Sequence, residues 1–549
     1  MRSSTVPIAV TVALLVSGCG AASGDEVGHA AGVATSAPDA RLTLVADEDP
    51  VASAASTSRA LFDSADVVVV ARDGDAAGTL LGASAATGLG VPLLLEPAGG
   101  GPADALTGEL DRLGTTTVLA VGTAEGGAGG EGGPEVVAVP AAPDAVAEVT
   151  GLQLGEVQQV GADDAVAAVA GLDPEQPAAL EPAGTEPAGS KAGDGELPAV
   201  ERAEPLEDTV VVTTGSPEAL AGVATARAAG ARVQLTGGST DPRSSAELVE
   251  LLGEQQPGTV VALGAGFGAE EGLDWKFETA ATGRQLPGGG QLLFPEHFLV
   301  ALYGSPGTGA LGVLGEQDLP AAIERAQATA ADYEPLVPDA TVVPAFEIIA
   351  TVASSVAGPD GNYSTELAVE ELRPWVEAAG EAGMYVVLDL QPGRTDFVTQ
   401  AERYRSLLEL PHVGLALDPE WRLGANEVHL TQIGSVSIDE VNRVVTWLAD
   451  LTRAGDLPQK LLVLHQFQVR MIPERDRLDT SRDELAIMVH ADGQGSQASK
   501  QDTWRVLRQT EPDRVAWGWK NFYDEDKPML TPEQTVTEVV PRPNLISYQ

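Results

Sequence analysis

The chain is expected to be an α/β protein, with two similar α/β segments followed by an eight-stranded (β/α)8 TIM-like barrel. Three observations carry this expectation. Residues 291–549 contain eight short apolar runs, ending near Tyr303, Glu347, Asp389, Asp418-Pro419-Glu420, His465, Asp492, Lys520 and Ser547-Tyr548. The seven intervals between them can each hold a helix or a long loop, the alternation such a barrel requires. Upstream, continuous β-branched runs such as Val67-Val68-Val69-Val70 read as buried parallel strands, and the same order of elements returns after residue 208.

At the N-terminus Arg2 precedes an apolar stretch, Val6 to Val16, too short to span a bilayer and suited to a secretory leader. The following Val16-Ser17-Gly18-Cys19 resembles the lipobox of bacterial lipoproteins. That resemblance implies a signal peptide over 1–18, a lipid on Cys19, and an extracytoplasmic protein facing the cell wall and anchored to the membrane. Cys19 is the only cysteine, so the exported part holds no disulfide. Residues 19–42, small and polar, read as a flexible tether.

The first α/β segment is expected over 43–172. It has strands at 66–71, 91–95 and 117–121, a small-residue helix near 76–88, a polar helix near 103–113, and a further strand near 136–139. Residues 173–208, dense in Pro, Glu, Ala and Gly, read as a disordered linker. A second segment is expected over 209–290, with strands at 209–212, 231–235 and 259–263. Residues 65–122 and, more loosely, 209–265 resemble the type-2 cell-wall-binding repeat, carried by Asp75-Ala76 at a helix start and Val91-Pro92-Leu93-Leu94-Leu95. The resemblance implies duplicated flavodoxin-like three-layer domains and a cell-wall or extracellular polysaccharide as partner. Gly122-Thr123 and Gly264-Ala265 stand where the repeat closes its third strand with Gly-Gly. Gly264-Ala265-Gly266-Phe267-Gly268-Ala269 fits a dinucleotide fingerprint, but no long helix follows, so it reads as a turn and no cofactor is expected.

The net charge of −48 argues against a nucleic-acid partner. It bears on solubility and partners, not on fold.

In the barrel, strand period assigns faces. Val343, Ala345 and Glu347 share one face; so do Tyr385, Val387, Asp389 and Gln391, and likewise Gly414, Ala416, Asp418 and Glu420. Strand six aligns Ala486, Met488, His490 and Asp492, and strand seven Ala516, Gly518, Lys520 and Phe522. Five acids, Glu347, Asp389, Asp418, Glu420 and Asp492, thus converge on one mouth. Crowded carboxyls push one another's pKa apart, so one stays protonated as an acid while a neighbour stays ionised. Glycosidic cleavage uses such a pair. Tyr303, Gln391, Trp421, His465, His490, Lys520 and Phe522 are the expected substrate-binding groups, and aromatic faces suit sugar rings. Lys520 or Arg394 is placed to neutralise an acid. Trp519, by parity, faces the helices.

Gly414-Leu415-Ala416-Leu417-Asp418-Pro419-Glu420-Trp421 resembles the strand-four signature of family-18-type chitinases and endo-N-acetylglucosaminidases. Carried over, Glu420 is the proton donor and Asp418 its partner. Positions 411–417 lack the further acids of that pattern, and His490 stands where its sixth strand has Tyr. A His-x-His pair is missing from strand one and no Gly-x-Ser-x-Gly turn occurs in the barrel, which leaves no metal site or serine triad expected. The Arg- and Asp-rich segment 468–483 reads as a mobile rim loop with Arg470, Arg475 and Arg477 paired inside it. The functional expectation is glycan hydrolysis. The alternative is a noncatalytic polysaccharide-binding surface lipoprotein on a degenerate barrel.

Overall fold

The computed structural model describes residues 31–99, 103–126, 132–184, 197–510 and 512–549. The leader, Cys19 and the first part of the tether lie outside the described residues. In the first sheet, Val67–Arg72 runs between Leu93–Glu96 and Thr117–Val121, with Glu135–Val139 at the edge, all parallel. Helix Ala76–Leu89 begins where Asp75 accepts from the Gly78 amide at 3.0 Å, and ends at Gly90, whose φ of 75° suits glycine. Its small residues are buried almost all round. Helix Leu220–Ala228 and strand Ala179–Pro182 pack on it as well as its own sheet, so no polar face is needed.

The second sheet repeats the order, with Thr209–Thr213 between Arg232–Leu235 and Thr259–Leu263. The two segments share one hydrophobic core. A hydrogen-bonded seam also joins them: the Thr225 hydroxyl accepts from the Leu93 amide at 3.1 Å and donates to the Leu93 carbonyl at 3.2 Å.

Order extends further than composition suggested. From residue 31 the expected tether is structured: Val33–Thr35 pairs antiparallel with Phe62–Ala65. Leu42–Val45 becomes the fourth strand of the second sheet, parallel to Thr259–Leu263, covering what would be an open edge. Within 173–208, residues 185–196 lie outside the described residues, but both flanks are ordered. Ala179–Pro182 pairs with Val157–Val160, and the Ala31 amide donates to Ala199 at 2.8 Å. These strands are too short to leave a periodic signal. Ala265–Ala269 forms a 3-10 turn after Gly264, and only a short helix, Leu273–Ala280, follows.

The barrel is closed and parallel. Its eight strands are His297–Gly304, Thr341–Ala353, Tyr385–Leu390, Val413–Leu417, Lys460–Gln466, Leu485–Ala491, Ala516–Asn521 and Leu545–Tyr548, and the first pairs with both the second and the last. Strand two overruns its expected end at Glu347 and folds against Ser364–Glu366. Val343, Ala345, Tyr385, Val387, Ala416 and Met488 fill the interior, on the faces parity assigned. Leu286 and Leu293, from the segment before strand one, plug the floor. Trp519 packs outward against Trp504 at 5.8 Å between ring centres. Below the floor, the buried Lys276 joins the second segment to the barrel, 2.7 Å from Asp483 and 3.6 Å from Asp241, with Glu270 also paired to it.

Candidate active site at the barrel mouth

His465, at the end of strand five, is the hub of the mouth. Its Nε2 lies 2.7 Å from Glu347 Oε1 and 3.9 Å from Asp389 Oδ1; its Nδ1 lies 3.2 Å from Asp492 Oδ2. The ring is buried, which opposes charge, yet the Glu347 and Asp492 carboxylates outweigh burial and hold its pKa well above the ordinary imidazole value. Asp492 responds in kind: burial raises it, but the His465 ring 3.2 Å away wins, and the carboxyl stays below its usual range.

The other acids move the opposite way. Burial lifts Asp389 to about 6, with His465 pulling it down and Glu347 pushing it up; the Tyr303 hydroxyl donates to its Oδ2 at 2.9 Å. Burial and the neighbouring Asp389 hold Asp418 well above the carboxylate range. Burial and Asp492 raise Glu420 to about 7. Among the described residues, Glu347 Oε2, Asp389 Oδ1, Asp492 Oδ1 and His465 Nδ1 are buried without a hydrogen-bond partner.

Strand four corrects one step of the parity argument. It ends at Leu417, and Pro419–Trp421 turn as a 3-10 helix capped by Asp418, whose carboxylate accepts from the Glu420 amide at 3.3 Å. Pro419 has no N–H to continue the ladder. Glu420 therefore reaches the mouth from a turn, half-buried, and its carboxyl makes no hydrogen bond among the described residues.

Gln391 sits just past strand three, 3.5 Å from the Tyr303 hydroxyl, and its Oε1 accepts from Ala353. Lys520 lies over the Tyr303 ring, with Phe522 beside it. His490 stacks edge-on to His465 at 5.0 Å, and burial, then the charges of His465 and Lys520, keep it neutral. Trp421 leaves the acid cluster for the rim, edge-on to His429 at 5.3 Å, which in turn contacts Tyr363 at 6.2 Å. Arg394 stacks on Tyr363 and donates to Glu427, away from the acids. Loop 468–483 is pinned: Met471, Ile472 and Arg475 are buried, and Arg475 donates to Gln466 and Leu507. Of its other arginines, Arg477 pairs with Glu474 and Asp439, and Arg470 with Gln468.

Two groups escaped the sequence reading. Ser547 places its hydroxyl 3.1 Å from His490 Nε2, and strand-eight parity with Leu545 was the signal for it. His429 comes from an irregular loop with no periodicity to betray it. Among the described residues no group of three or more His, Cys, Asp or Glu is arranged to hold a metal ion.

No family model and no curated protein matches this chain. Among solved structures it is similar to Cwp6 from Clostridium difficile, at 13% identity and a TM-score of 0.33, over 65% of this chain and 66% of that one. The chain thus spans just under two thirds of that structure's length. No helix among the described residues is long and apolar enough to cross a membrane.

Proposed function

We propose that the protein is a wall-facing lipoprotein, anchored through Cys19, whose barrel hydrolyses a cell-wall or extracellular glycan with Glu420 as proton donor. One observation carries the reading: Glu420 is half-buried at the mouth and raised to about 7, beside an Asp492 that His465 holds ionised. A carboxyl of that pKa is protonated often enough to give its proton to a glycosidic oxygen at neutral pH. Asp492, with Asp389, supplies the negative charge that an oxocarbenium-like transition state calls for. Asp418 acts through the backbone, fixing the turn that carries Glu420. The Trp421, His429 and Tyr363 rim supports stacking of sugar rings.

A second reading, a noncatalytic polysaccharide binder, is favoured by one feature: among the described residues no side chain or backbone group hydrogen-bonds the Glu420 carboxyl. Digestion of purified wall fractions, read by mass spectrometry, separates the two. The Glu420→Gln protein should lose cleavage by about two to four orders of magnitude while still binding the wall. Undiminished cleavage sinks the assignment; binding with no product from the wild type favours the second reading.

A further inference from the structure

The mouth is divided by chemistry. The ends of strands two, three, four and six bring Glu347, Asp389, Asp418, Glu420 and Asp492, whereas strands seven, eight and one bring Lys520, Ser547 and Tyr303. Lys520 is only 3% exposed, yet its ammonium meets no carboxylate at ion-pair distance and no hydrogen-bond acceptor among the described residues. It sits 3.4 Å from the centre of the Tyr303 ring and 5.3 Å from that of Phe522. Aromatic faces stabilise its charge but leave three N–H donors unanswered. A charge this deep is expensive to bury without a hydrogen-bonding partner. Ser547, its register partner on strand eight, adds a hydroxyl on the same side.

Three of the acids near it have one oxygen engaged, and none reaches Lys520 at ion-pair distance among the described residues. Glu347 and Asp492 flank His465, and Asp389 accepts from Tyr303. Lys520 is the cation left for a ligand.

Resting on the glycan reading above, we infer that Lys520 seats a carboxylate of the bound sugar, so that the mouth selects a sugar residue bearing one carboxylate over its uncharged counterpart. A single ammonium matches a monoanion. Among the described residues the neighbouring Lys500 is paired with Asp526, and no arginine fork stands beside Lys520 to hold a dianion, as phosphate recognition favours. The acids with the highest pKa, Asp418 and Glu420, are those that lose their charge most readily when an anion approaches.

The test is ligand-observed NMR titration of the full chain in the Glu420→Gln background with N-acetylmuramic acid and N-acetylglucosamine, which differ by one carboxylate-bearing ether. The acidic sugar should bind about tenfold tighter. Lys520→Met should abolish that preference, while Lys520→Arg should keep part of it. Equal affinities, binding of neither sugar, or a preference that survives Lys520→Met would each overturn the inference. If Lys520→Met does not fold, the comparison in the Lys520-containing chain and in Lys520→Arg decides on the same criteria. Wall cleavage and its dependence on Glu420 are scored separately, so either reading can fail alone.

Discussion

His465 Nε2 stands 2.7 Å from Glu347 Oε1 across the barrel, linking strand five to strand two. Asp492 closes on the other ring nitrogen, so one imidazolium sits between two buried carboxylates. Breaking such a pair from one side leaves uncompensated charge, at a cost of about 3–5 kcal/mol. His465→Asn should therefore lower the melting temperature markedly. The sign with pH follows from both partners. His465 is raised on folding, so its contribution is full below the ordinary imidazole value of about 6.5 and fades as pH rises through the folded value. Asp492 is depressed, so its contribution is full above the ordinary carboxyl value of about 3.9 and is lost as pH falls. The difference between wild type and variant should be greatest between about pH 4 and 6.5; a difference independent of pH would refute the charged pair.

Glu420 must be protonated to act as an acid, and its carboxyl is raised to about 7. Above that pH, kcat/KM for glycan cleavage should fall about tenfold per unit. Asp492 is the largest neighbouring charge raising Glu420, so Asp492→Asn should move this limb to lower pH. A limb that stays put would show that the titrating group is another residue.

Gly518 lies under the His490 ring, where an added Cβ would stand 2.3 Å from His490 Cδ2 and 3.0 Å from Met488 Sδ. Gly518→Ala should destabilise by about 1–3 kcal/mol in chemical denaturation and displace the His490 ring from Ser547. Unchanged stability would mean that the ring has room to swing.

Lys276 is 1% exposed and holds Asp483 at 2.7 Å, with Glu270 and Asp241 around it. Lys276→Met leaves Glu270 without a cation and takes one partner each from Asp241 and Asp483, which keep Arg243 and Arg514, at the join between the second α/β segment and the barrel. The expected outcome is a loss of about 3 kcal/mol and faster proteolysis near residues 283–290. Wild-type resistance would show that the apolar plug of Leu286 and Leu293 holds the join alone.

The barrel was legible because inward and outward residues alternate along each strand, so Ala345, Val387 and Ala416 announced their face from spacing alone. The acids inherited that phase as far as the strands ran. Glu420 broke from it because Pro419 ended the ladder, although its neighbour Asp418 kept the turn at the mouth. The tightest contact of the hub, His465 with Glu347, joins strands that are not neighbours in the sheet, and spacing along one strand carries no such information. Leu42–Val45 was missed for a related reason. Four residues form too short a pattern to mark a strand, and its partner lies far along the chain.

That partner sets an order of assembly. A ribosome releases Leu42–Val45 early, but the strand it must join, Thr259–Leu263, emerges only after the whole first sheet. Until then the nascent chain carries an orphan strand that any exposed sheet edge can capture. Leu42–Val45 thus acts as a late clasp: the second sheet closes only once Thr259–Leu263 has emerged, and a chain cut short before Thr259 leaves the clasp without its partner.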